Sequence, residues 1–253
     1  MLATAMTRDA LPVLDANTAL FLDVDGTLID IAPTPDAVTV PRGLGDVLRE
    51  LGERLDGALA LVSGRRLADL DALFAPLRLP AAGQHGAELR RRGELQPVAL
   101  TRDAALDAIA ARVTHIVDER PGVMMEDKGL SIALHWRIAP QYRQELQGLA
   151  AALITESGAD LELLPVHMGV EFKARAVSKR SAIEWFMREP PFRARSPVFV
   201  GDDRTDEDGF VAVLQMGGQA VRVGYQGSSI APTRLAAPQA VRDWLATALA
   251  VLR

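Results

Sequence analysis

Cysteine is absent from the 253 residues of this chain. This absence excludes disulfide bonds, thiolate metal ligands and a cysteine nucleophile. The sequence also lacks any apolar run approaching the ~18 residues that a membrane-spanning helix needs. Its 28 Lys and Arg residues form no basic tract and the net charge is −5. Neither a nucleic-acid partner nor an anionic membrane surface is therefore favoured.

Apolar residues make up 49% of the chain, enough for a full core in one large domain or two moderate ones. Residues 1–20 contain no long apolar segment of the kind found in a secretion signal. We therefore expect a cytoplasmic protein with neither nucleic acid nor membrane as a partner. A small-molecule substrate and a monomeric state are further expectations.

Short apolar runs that end abruptly in turn-forming or polar residues recur along the chain, with helical patterns between them. This alternation predicts an α/β fold in which a doubly wound parallel sheet is covered by helices on both faces. Ligands bind such sheets beyond the carboxyl ends of the strands. The predicted strands are residues 19–26, 57–65, 169–174, 196–203 and 219–224.

The middle of the chain follows another pattern. It reads as a helix, two adjacent strands, a second helix and a further strand, with little parallel character. We predict that residues 103–168 form a smaller α+β insert and that residues 1–102 and 169–253 form the larger sheet domain. The last residues form an amphipathic helix that packs on the larger domain.

Two carboxylates follow the first apolar run directly. Asp23 and Asp25 are separated by one residue, and like charges this close cost free energy unless a cation lies between them. Mg²⁺ suits such a pair. An Asx-turn is the structural alternative, and an EF-hand loop is disfavoured because the twelfth position from Asp23 is Thr34. Asp30, the next carboxylate, is expected in a turn or at the surface.

A second acidic cluster follows a later strand. It contains Asp202, Asp203 and Asp206, and alone it is also compatible with a solvated helix start, where carboxylates complement the helix dipole. Because carboxyl ends of parallel strands share one edge of a sheet, the two clusters together predict one magnesium site.

Groups suited to a phosphate occur at two further places. Ser63 and Gly64 end a strand and precede a helix, so a hydroxyl and turn N–H groups are available to an anion; the alternative is a simple N-cap. Lys179 stands at a predicted helix N-terminus, where a cation is unfavourable without an anionic partner. A solvent-exposed lysine is the alternative.

Without cysteine, a carboxylate is a credible nucleophile toward phosphorus. We assign Asp23 as the nucleophile. Asp25 is assigned as the acid that protonates the leaving oxygen and as the base that then activates water.

These motifs resemble those of the haloacid dehalogenase superfamily of phosphotransferases. "DVDGT" (23–27), "VSGR" (62–65), Lys179 and "GDDRTDE" (201–207) occur in the order of its four motifs. Within that superfamily the chain resembles the bacterial trehalose-6-phosphate phosphatases over nearly its whole length, including "MEDKGLSIALHWR" (125–137). The resemblance implies a Mg²⁺-dependent phosphatase that hydrolyses trehalose 6-phosphate, with a cap domain formed by the insert.

The resemblance also implies site residues. Those of the larger domain are a metal site from Asp23, Asp25 by its backbone carbonyl, and Asp202, with Asp203 and Asp206 completing the acidic motif; a phosphate site from Thr27, Ser63, Gly64 and Lys179; and Arg65 at the substrate. In the insert, Glu126, Lys128 and Glu171 match residues that hydrogen-bond sugar hydroxyls, although Glu126 and Lys128 also suit an exposed cross-strand pair. His85 is expected near the substrate or hinge, or in a structural role.

One segment departs from the family pattern. Where the family commonly has K-P-x-G-x-S-K-G, this chain has "KARAVSKR" (173–180), with Ala174, Ala176 and Arg180 in place of proline and two glycines. The chain therefore lacks, near Lys179, the restricted proline and the permissive glycine backbone positions of the family pattern. The alternative functions are a phosphatase for another sugar phosphate, such as sucrose phosphate or a mannosyl phosphate, a mutase, and a sugar-phosphate binding module without turnover.

Overall fold

The chain folds into two compact units. The computed structural model describes residues 10–32, 38–94, 98–166 and 168–252, so residues 1–9 of the N-terminal stretch considered above lie outside it. The core unit comprises the described residues of Met1–Val98 and Ser178–Arg253, and the insert unit comprises those of Ala99–Val177.

Strands and helices alternate through most of the core unit. The strands of the chain are β1 (Thr18–Leu22), β2 (Leu59–Val62), β3 (Ala81–Gly83), β4 (Glu88–Arg90), β5 (Val98–Ala99), β6 (Met124–Asp127), β7 (Ile132–His135), β8 (Leu161–Val166), β9 (Gly169–Ala174), β10 (Ser196–Gly201), β11 (Gln219–Val223) and β12 (Thr233–Leu235). The helices are α1 (Leu44–Arg54), α2 (Leu67–Leu73), α3 (Ala104–Asp118), α4 (Arg143–Ser157), α5 (Lys179–Met187), α6 (Glu207–Gln215) and α7 (Pro238–Val251).

An eight-stranded sheet forms the centre of the core unit, in the order β12-β11-β10-β1-β2-β3-β4-β5. The central strands from β12 to β3 pair in parallel, and β4 is antiparallel to β3. All five residues of β1 are buried, as expected for a strand covered on both faces. Helices α1, α2, α5, α6 and α7 bury apolar residues in the same core. The predicted α/β class with an inserted α+β unit is confirmed.

Phenylalanine side chains fill the core beside β1. The ring of Phe21 lies 5.4 Å from that of Phe192 and 5.9 Å from that of Phe186, and all three are buried. Aromatic packing of this kind fixes α5 and the following loop against the strand that precedes Asp23.

The insert unit contains a four-stranded antiparallel sheet in the order β6-β7-β9-β8. Apolar residues of α3 and α4 share its core with one face of the sheet. The described helices and strands follow the predicted order of helix, two strands, helix and strand.

One strand was assigned to the wrong sheet. Residues 169–174 were predicted in the parallel sheet, but β9 pairs antiparallel with β7 and β8 in the insert. Its residues alternate, with Val170 and Phe172 in the insert core and the charged Glu171 and Lys173 between them. This period of two is typical of an antiparallel strand with two unlike faces. The insert therefore ends at Val177 and begins at Ala99, instead of spanning 103–168.

Among the residues that the structure describes, none of the helices is sufficiently long and apolar to cross a membrane.

Two helical glycines of the core unit provide a matched test of its packing. A Cβ at Gly209 in α6 would lie 2.4 Å from the Phe199 ring, whereas one at Gly45 in α1 would meet no atom within 4 Å. We expect Gly209→Ala to lower the free energy of unfolding by about 1–3 kcal/mol through overpacking. Gly45→Ala is expected to be neutral or to stabilise by at most about 1 kcal/mol. Urea denaturation of both variants measures this; equal effects would contradict the packing described for α6.

Candidate active site

Asp23 and Asp202 meet at one edge of the core sheet. They follow the adjacent parallel strands β1 and β10, in which Leu22 lies opposite Val200, and the Asp23 N–H donates to the Val200 carbonyl at 2.9 Å. The parallel register therefore places the two acidic motifs beside each other, as predicted. Carboxylate oxygens of Asp23, Asp202 and Asp206 lie within 4.8 Å of one another.

A buried lysine lies within this cluster. The Lys179 Nζ donates to Asp23 Oδ1 at 2.7 Å and to Asp206 Oδ1 at 2.6 Å. Lys179 is only 3% exposed, so the alternative of a solvent-exposed lysine is excluded. It is the first residue of α5, whose N-cap is Ser178, and its anionic partners are the two carboxylates.

Asp206 organises the loop of the second acidic motif. While its Oδ1 accepts from Lys179, its Oδ2 accepts from the backbone N–H groups of Asp202 and Asp203 at 2.9 and 2.8 Å. The Asp203 side chain instead accepts from the Arg204 N–H and lies outside the carboxylate cluster. Hydrogen bonds thus occupy both oxygens of Asp206, and we infer that it orients Lys179 and Asp202.

Burial and charge perturb these groups strongly. Burial raises the pKa of Asp23 well above its ordinary value, and the positive charge of Lys179 opposes that rise. Burial and the negative charge of Asp206 raise the pKa of Asp202 to about 6. Burial would lower the pKa of Lys179, but the charges of Asp206 and Asp23 outweigh it and raise this pKa.

Gly26 and Thr27 fit around Asp202. Gly26 has φ +79°, and a Cβ there would lie 2.1 Å from Asp202 Oδ2, so only glycine fits at this position. The hydroxyl of Thr27, a fully buried residue, donates to Asp202 Oδ1 at 3.2 Å. In this structure Thr27 contacts the acidic cluster, and its predicted contact with phosphate stays a prediction.

Asp25 forms a bidentate ion pair. Arg65 donates from Nε to Asp25 Oδ2 at 2.6 Å and from Nη2 to Asp25 Oδ1 at 2.7 Å. The Asp25 side chain is 37% exposed, in contrast to the buried Asp23. In this structure the Arg65 guanidinium lies on this carboxylate, in the planar geometry that arginine favours. The predicted contact of Arg65 with the substrate stays a prediction.

Ser63 and Gly64, which follow β2, pack directly against His85, which follows β3. Ser63 is buried, and its hydroxyl accepts from the Arg65 N–H at 3.2 Å. The His85 N–H donates to the Ser63 carbonyl at 2.9 Å, and a Cβ at Gly64 would lie 2.7 Å from the imidazole ring. His85 has φ +59°, so it is held in a left-handed conformation directly against the second motif.

The insert residues lie on the face of its sheet opposite the apolar core. Glu126, Ala133 and Glu171 occupy one row across β6, β7 and β9. The Lys128 Nζ donates to Glu171 Oε2 at 2.9 Å, and Glu171 is 1% exposed. Glu126 is more exposed and lies 3.2 Å from the ring of His135.

The comparisons with known proteins agree with this geometry. The family model described as Trehalose-phosphatase matches residues 21–236. The chain belongs to the trehalose-phosphatase family. It is 43% identical over 234 residues to the trehalose-6-phosphate phosphatase of Escherichia coli, with 92% of this chain and 87% of that protein covered.

Two further relatives extend the likeness. The probable trehalose-phosphate phosphatase of Sinorhizobium fredii is 42% identical over 209 residues, which cover 82% of this chain and 78% of that protein. A solved structure of a trehalose-6-phosphate phosphatase related protein has a TM-score of 0.75 at 26% identity, and the match covers 92% of this chain and 97% of that chain.

The acidic cluster of this trehalose-phosphatase family member suits a hard cation. Asp23, Asp202 and Asp206 carry three carboxylates in one small volume, and Lys179 supplies a single positive charge. Burial, and after it the negative charge of neighbouring carboxylates, raises the pKa of both Asp23 and Asp202. Oxygen ligands of this kind are those that Mg²⁺ prefers.

The sequence analysis did not identify His135 as a neighbour of Glu126. Its position two residues after Ala133 in β7 puts it on the same face as Glu126 and Glu171, and the alternating pattern of "SIALHW" carries this signal. The pairing of Asp25 with Arg65 was also missed, because residues forty positions apart give no local signal.

Asp202 makes the stability of the protein depend on pH. Its pKa is about 6 in the folded protein against an ordinary 3.8, so the folded state binds this proton more tightly than the unfolded state. The contribution of Asp202 to stability therefore falls as pH rises through this interval. Without divalent cations, we expect Asp202→Asn to gain in Tm relative to the parent protein as pH rises from 3.8 to about 6.

Thermal unfolding across this pH range measures the difference. Asp208→Asn is the control, because it removes an exposed carboxylate of α6, six residues further along the chain, and should follow the parent protein. Parallel curves for Asp202→Asn and the parent would refute the raised pKa.

Proposed function

We propose that this protein is a Mg²⁺-dependent phosphomonoester hydrolase that converts trehalose 6-phosphate to trehalose and phosphate. Membership of the trehalose-phosphatase family supports the substrate. The single observation that carries the chemistry is the buried Asp23 carboxylate beside Lys179 at the carboxyl edge of a parallel sheet. A cytoplasmic location, a monomeric state and the absence of a nucleic-acid partner remain predictions.

Asp23 is the proposed nucleophile. Its carboxylate oxygen attacks phosphorus, the bond from phosphorus to the sugar oxygen breaks, and an aspartyl-phosphate forms. Water then attacks this phosphorus and releases phosphate with the carboxylate restored. Burial of Asp23, which is 4% exposed, keeps the reacting oxygen away from bulk water.

Asp25 is the proposed acid and base. It gives a proton to the departing sugar oxygen and later takes one from the attacking water. Its 37% exposed side chain is compatible with access to both. The bidentate contact with Arg65 supports a role for this arginine in holding the Asp25 carboxylate in place.

Lys179 and Ser63 are the proposed phosphate ligands. The Lys179 ammonium lies 2.7 Å from Asp23 Oδ1, so it is placed to stabilise negative charge on both the nucleophile and the phosphoryl group. Ser63 and the N–H groups of the turn at Gly64 follow the neighbouring strand β2, and Thr27 follows Asp23 in the first motif.

Asp23 and Asp202 are the proposed side-chain ligands of Mg²⁺, with the backbone carbonyl of Asp25, and Asp203 and Asp206 complete the motif around them. When bound, the cation neutralises charge on the phosphate and on the attacking carboxylate. The raised pKa of Asp202, about 6, supports this assignment, because a nearby cation would favour the ionised form.

Glu126, Lys128 and Glu171 are the proposed sugar-binding residues of the insert, and His85 is proposed near the substrate. A disaccharide presents many hydroxyl groups, which charged donors and acceptors bind with short, directional hydrogen bonds. Their placement on one polar face of the insert sheet supports this role. The exposed Glu126 is the most accessible of the three.

Substrate preference tests the proposal. With Mg²⁺ present, we expect phosphate release from trehalose 6-phosphate to have the highest kcat/KM in a panel that includes sucrose phosphate, a mannosyl phosphate and glucose 6-phosphate. The reason is that the proposed sugar-binding residues offer several charged donors and acceptors to the hydroxyl groups of the disaccharide. Turnover without added Mg²⁺, after treatment with a chelator, should be lost and should return when Mg²⁺ is restored.

A preference for another ester would replace the substrate but keep the phosphatase. Formation of an isomeric sugar phosphate would indicate a mutase. Absence of turnover on every ester would leave only a binding module.

Replacement of the nucleophile separates binding from chemistry. We expect Asp23→Asn to lose kcat by about 10⁴-fold or more, because an amide oxygen is a poor nucleophile, while isothermal titration still detects trehalose 6-phosphate. Asp25→Asn should also be severely impaired, and its phosphoenzyme should hydrolyse slowly. Electrophoresis on acidic gels or mass spectrometry would detect this phosphoenzyme. Asp30→Asn is the control, since Asp30 is exposed and outside the site. Turnover by Asp23→Asn near that of the parent would disprove the assignment.

A further inference from the structure

A second buried lysine, Lys173 in β9, is fully engaged within the insert unit. It is 5% exposed. Its Nζ donates to Glu162 Oε1 at 2.5 Å, to the Val177 carbonyl at 2.5 Å and, more weakly, to the Ala174 carbonyl at 3.5 Å. These are three acceptors for the three protons of an ammonium group.

The shorter of the two hydrogen bonds from Lys173 to backbone carbonyls goes to Val177, the last residue of the insert unit. A buried ammonium is costly unless it is paired and hydrogen-bonded, and Glu162 supplies the counter-charge. Any movement of the Val177 carbonyl away from Lys173 would leave a buried donor unsatisfied. The lysine therefore restrains the position of this carbonyl.

Two backbone hydrogen bonds fix the same turn. The Val177 N–H donates to the Ala174 carbonyl at 3.1 Å, and the Arg175 N–H donates to the Asp160 carbonyl at 3.0 Å. The Val177 side chain is buried. The residues from Ala174 to Val177 are thus held within the insert unit up to its final carbonyl.

The next residue, Ser178, begins the core unit and caps α5. Its hydroxyl accepts from the Ser181 N–H at 3.1 Å, and its own N–H donates to the Ser181 hydroxyl at 3.0 Å. A Cβ on Gly86 would lie 2.9 Å from the carbonyl oxygen of Ser178. One peptide bond joins the carbonyl held by Lys173 to this cap, and Lys179 follows it.

We propose that Lys173 is a positioning residue for Lys179, acting through the Val177 carbonyl and the start of α5; this inference rests on the proposed role of Lys179 at the phosphoryl group. Ala174 and Ala176 lack the ring that restricts a proline backbone. Here the hydrogen bonds of Lys173 restrict the turn.

Substitution of Lys173 tests this role on two substrates. We expect Lys173→Met to lower kcat by about 10- to 100-fold, the cost of a misplacement of roughly 1 Å at a reacting centre. The loss should be equal for trehalose 6-phosphate and for p-nitrophenyl phosphate, because the two esters share only the phosphoryl group. Lys173→Arg, which keeps the charge and the donors, should restore most of the activity.

Arg175→Met is the matched control. Arg175 lies in the same turn and donates to Asp160 Oδ1 and to the Leu161 carbonyl. It also lies 3.6 Å from Glu162 Oε2, whereas Lys173 contacts Oε1 of that carboxylate. Arg175 is exposed and makes no contact with Val177 among the contacts of the described residues. It should keep the parent kcat on both esters. Circular dichroism and thermal unfolding accompany each variant, and Lys173→Gln, which keeps a donor near Glu162, replaces the methionine variant if that one does not fold.

Two results would overturn the proposal. The first is a parent-like kcat of the Lys173 variant on both esters. The second is a loss confined to trehalose 6-phosphate, which would show that Lys173 acts through sugar recognition. A failure of trehalose 6-phosphate as substrate is distinguishable, because the parent protein itself would then not hydrolyse it while p-nitrophenyl phosphate still reports the phosphoryl site.

Discussion

The buried ammonium of Lys179 between Asp23 and Asp206 is the interaction on which the rest of the core site depends. Three carboxylates crowd one edge of the sheet, and without a positive charge among them their mutual repulsion and burial would favour protonation. Lys179 contacts two of them at 2.6–2.7 Å. It joins β1, α5 and the loop after β10 at a single point. Because all three groups are buried, removal of Lys179 would leave its two carboxylate partners without a counter-charge.

The surrounding backbone is shaped to admit this cluster. A side chain at Gly201 would lie 2.3 Å from Asp206 Cγ, and one at Gly26 would lie 2.1 Å from Asp202 Oδ2. Both carboxylates therefore occupy space that only glycine leaves open. Asp206 then binds the N–H groups that begin its own loop, so the acidic motif is rigid before any ligand binds, as efficient electrostatic stabilisation requires.

The sequence predicted the convergence of the motifs well, because strand order in a parallel sheet turns distant segments into neighbours by a simple rule. The prediction failed for features that depend on pairing between residues far apart in the sequence. The hydrophobic pattern of residues 169–174 is compatible with a strand in either sheet. Only the antiparallel pairing of β9 with β7 and β8 assigns it to the insert. The contact of Arg65 with Asp25 depends on a rotamer and a turn that no local pattern reports. The hydrogen bond from Thr27 to Asp202 also has no local signal in the sequence.

The pattern of burial separates the two kinds of work that a sugar phosphatase must do. The charged groups proposed to act at the phosphoryl group, such as Asp23 and Lys179, are buried in the core unit and paired with each other. Burial leaves few conformations open to these side chains. On the polar face of the insert, the buried Glu171 pairs with the half-buried Lys128, while Glu126 is exposed. Chemistry demands fixed geometry at one phosphorus atom, whereas recognition of many similar hydroxyls depends on several polar contacts that each contribute a little.

Charge balance in the core cluster explains why a cation belongs to the proposed mechanism. When ionised, Asp23, Asp202 and Asp206 contribute three negative charges and Lys179 one positive charge, which leaves an excess of two negative charges. A phosphate ester carries further negative charge, and at distances of about 4 Å such repulsion is substantial in a partly buried site. A second cation beside Asp23 and Asp202 removes this conflict and lets a carboxylate approach phosphorus. With a bound divalent cation, the acidic cluster would therefore no longer carry the excess negative charge that repels a phosphate.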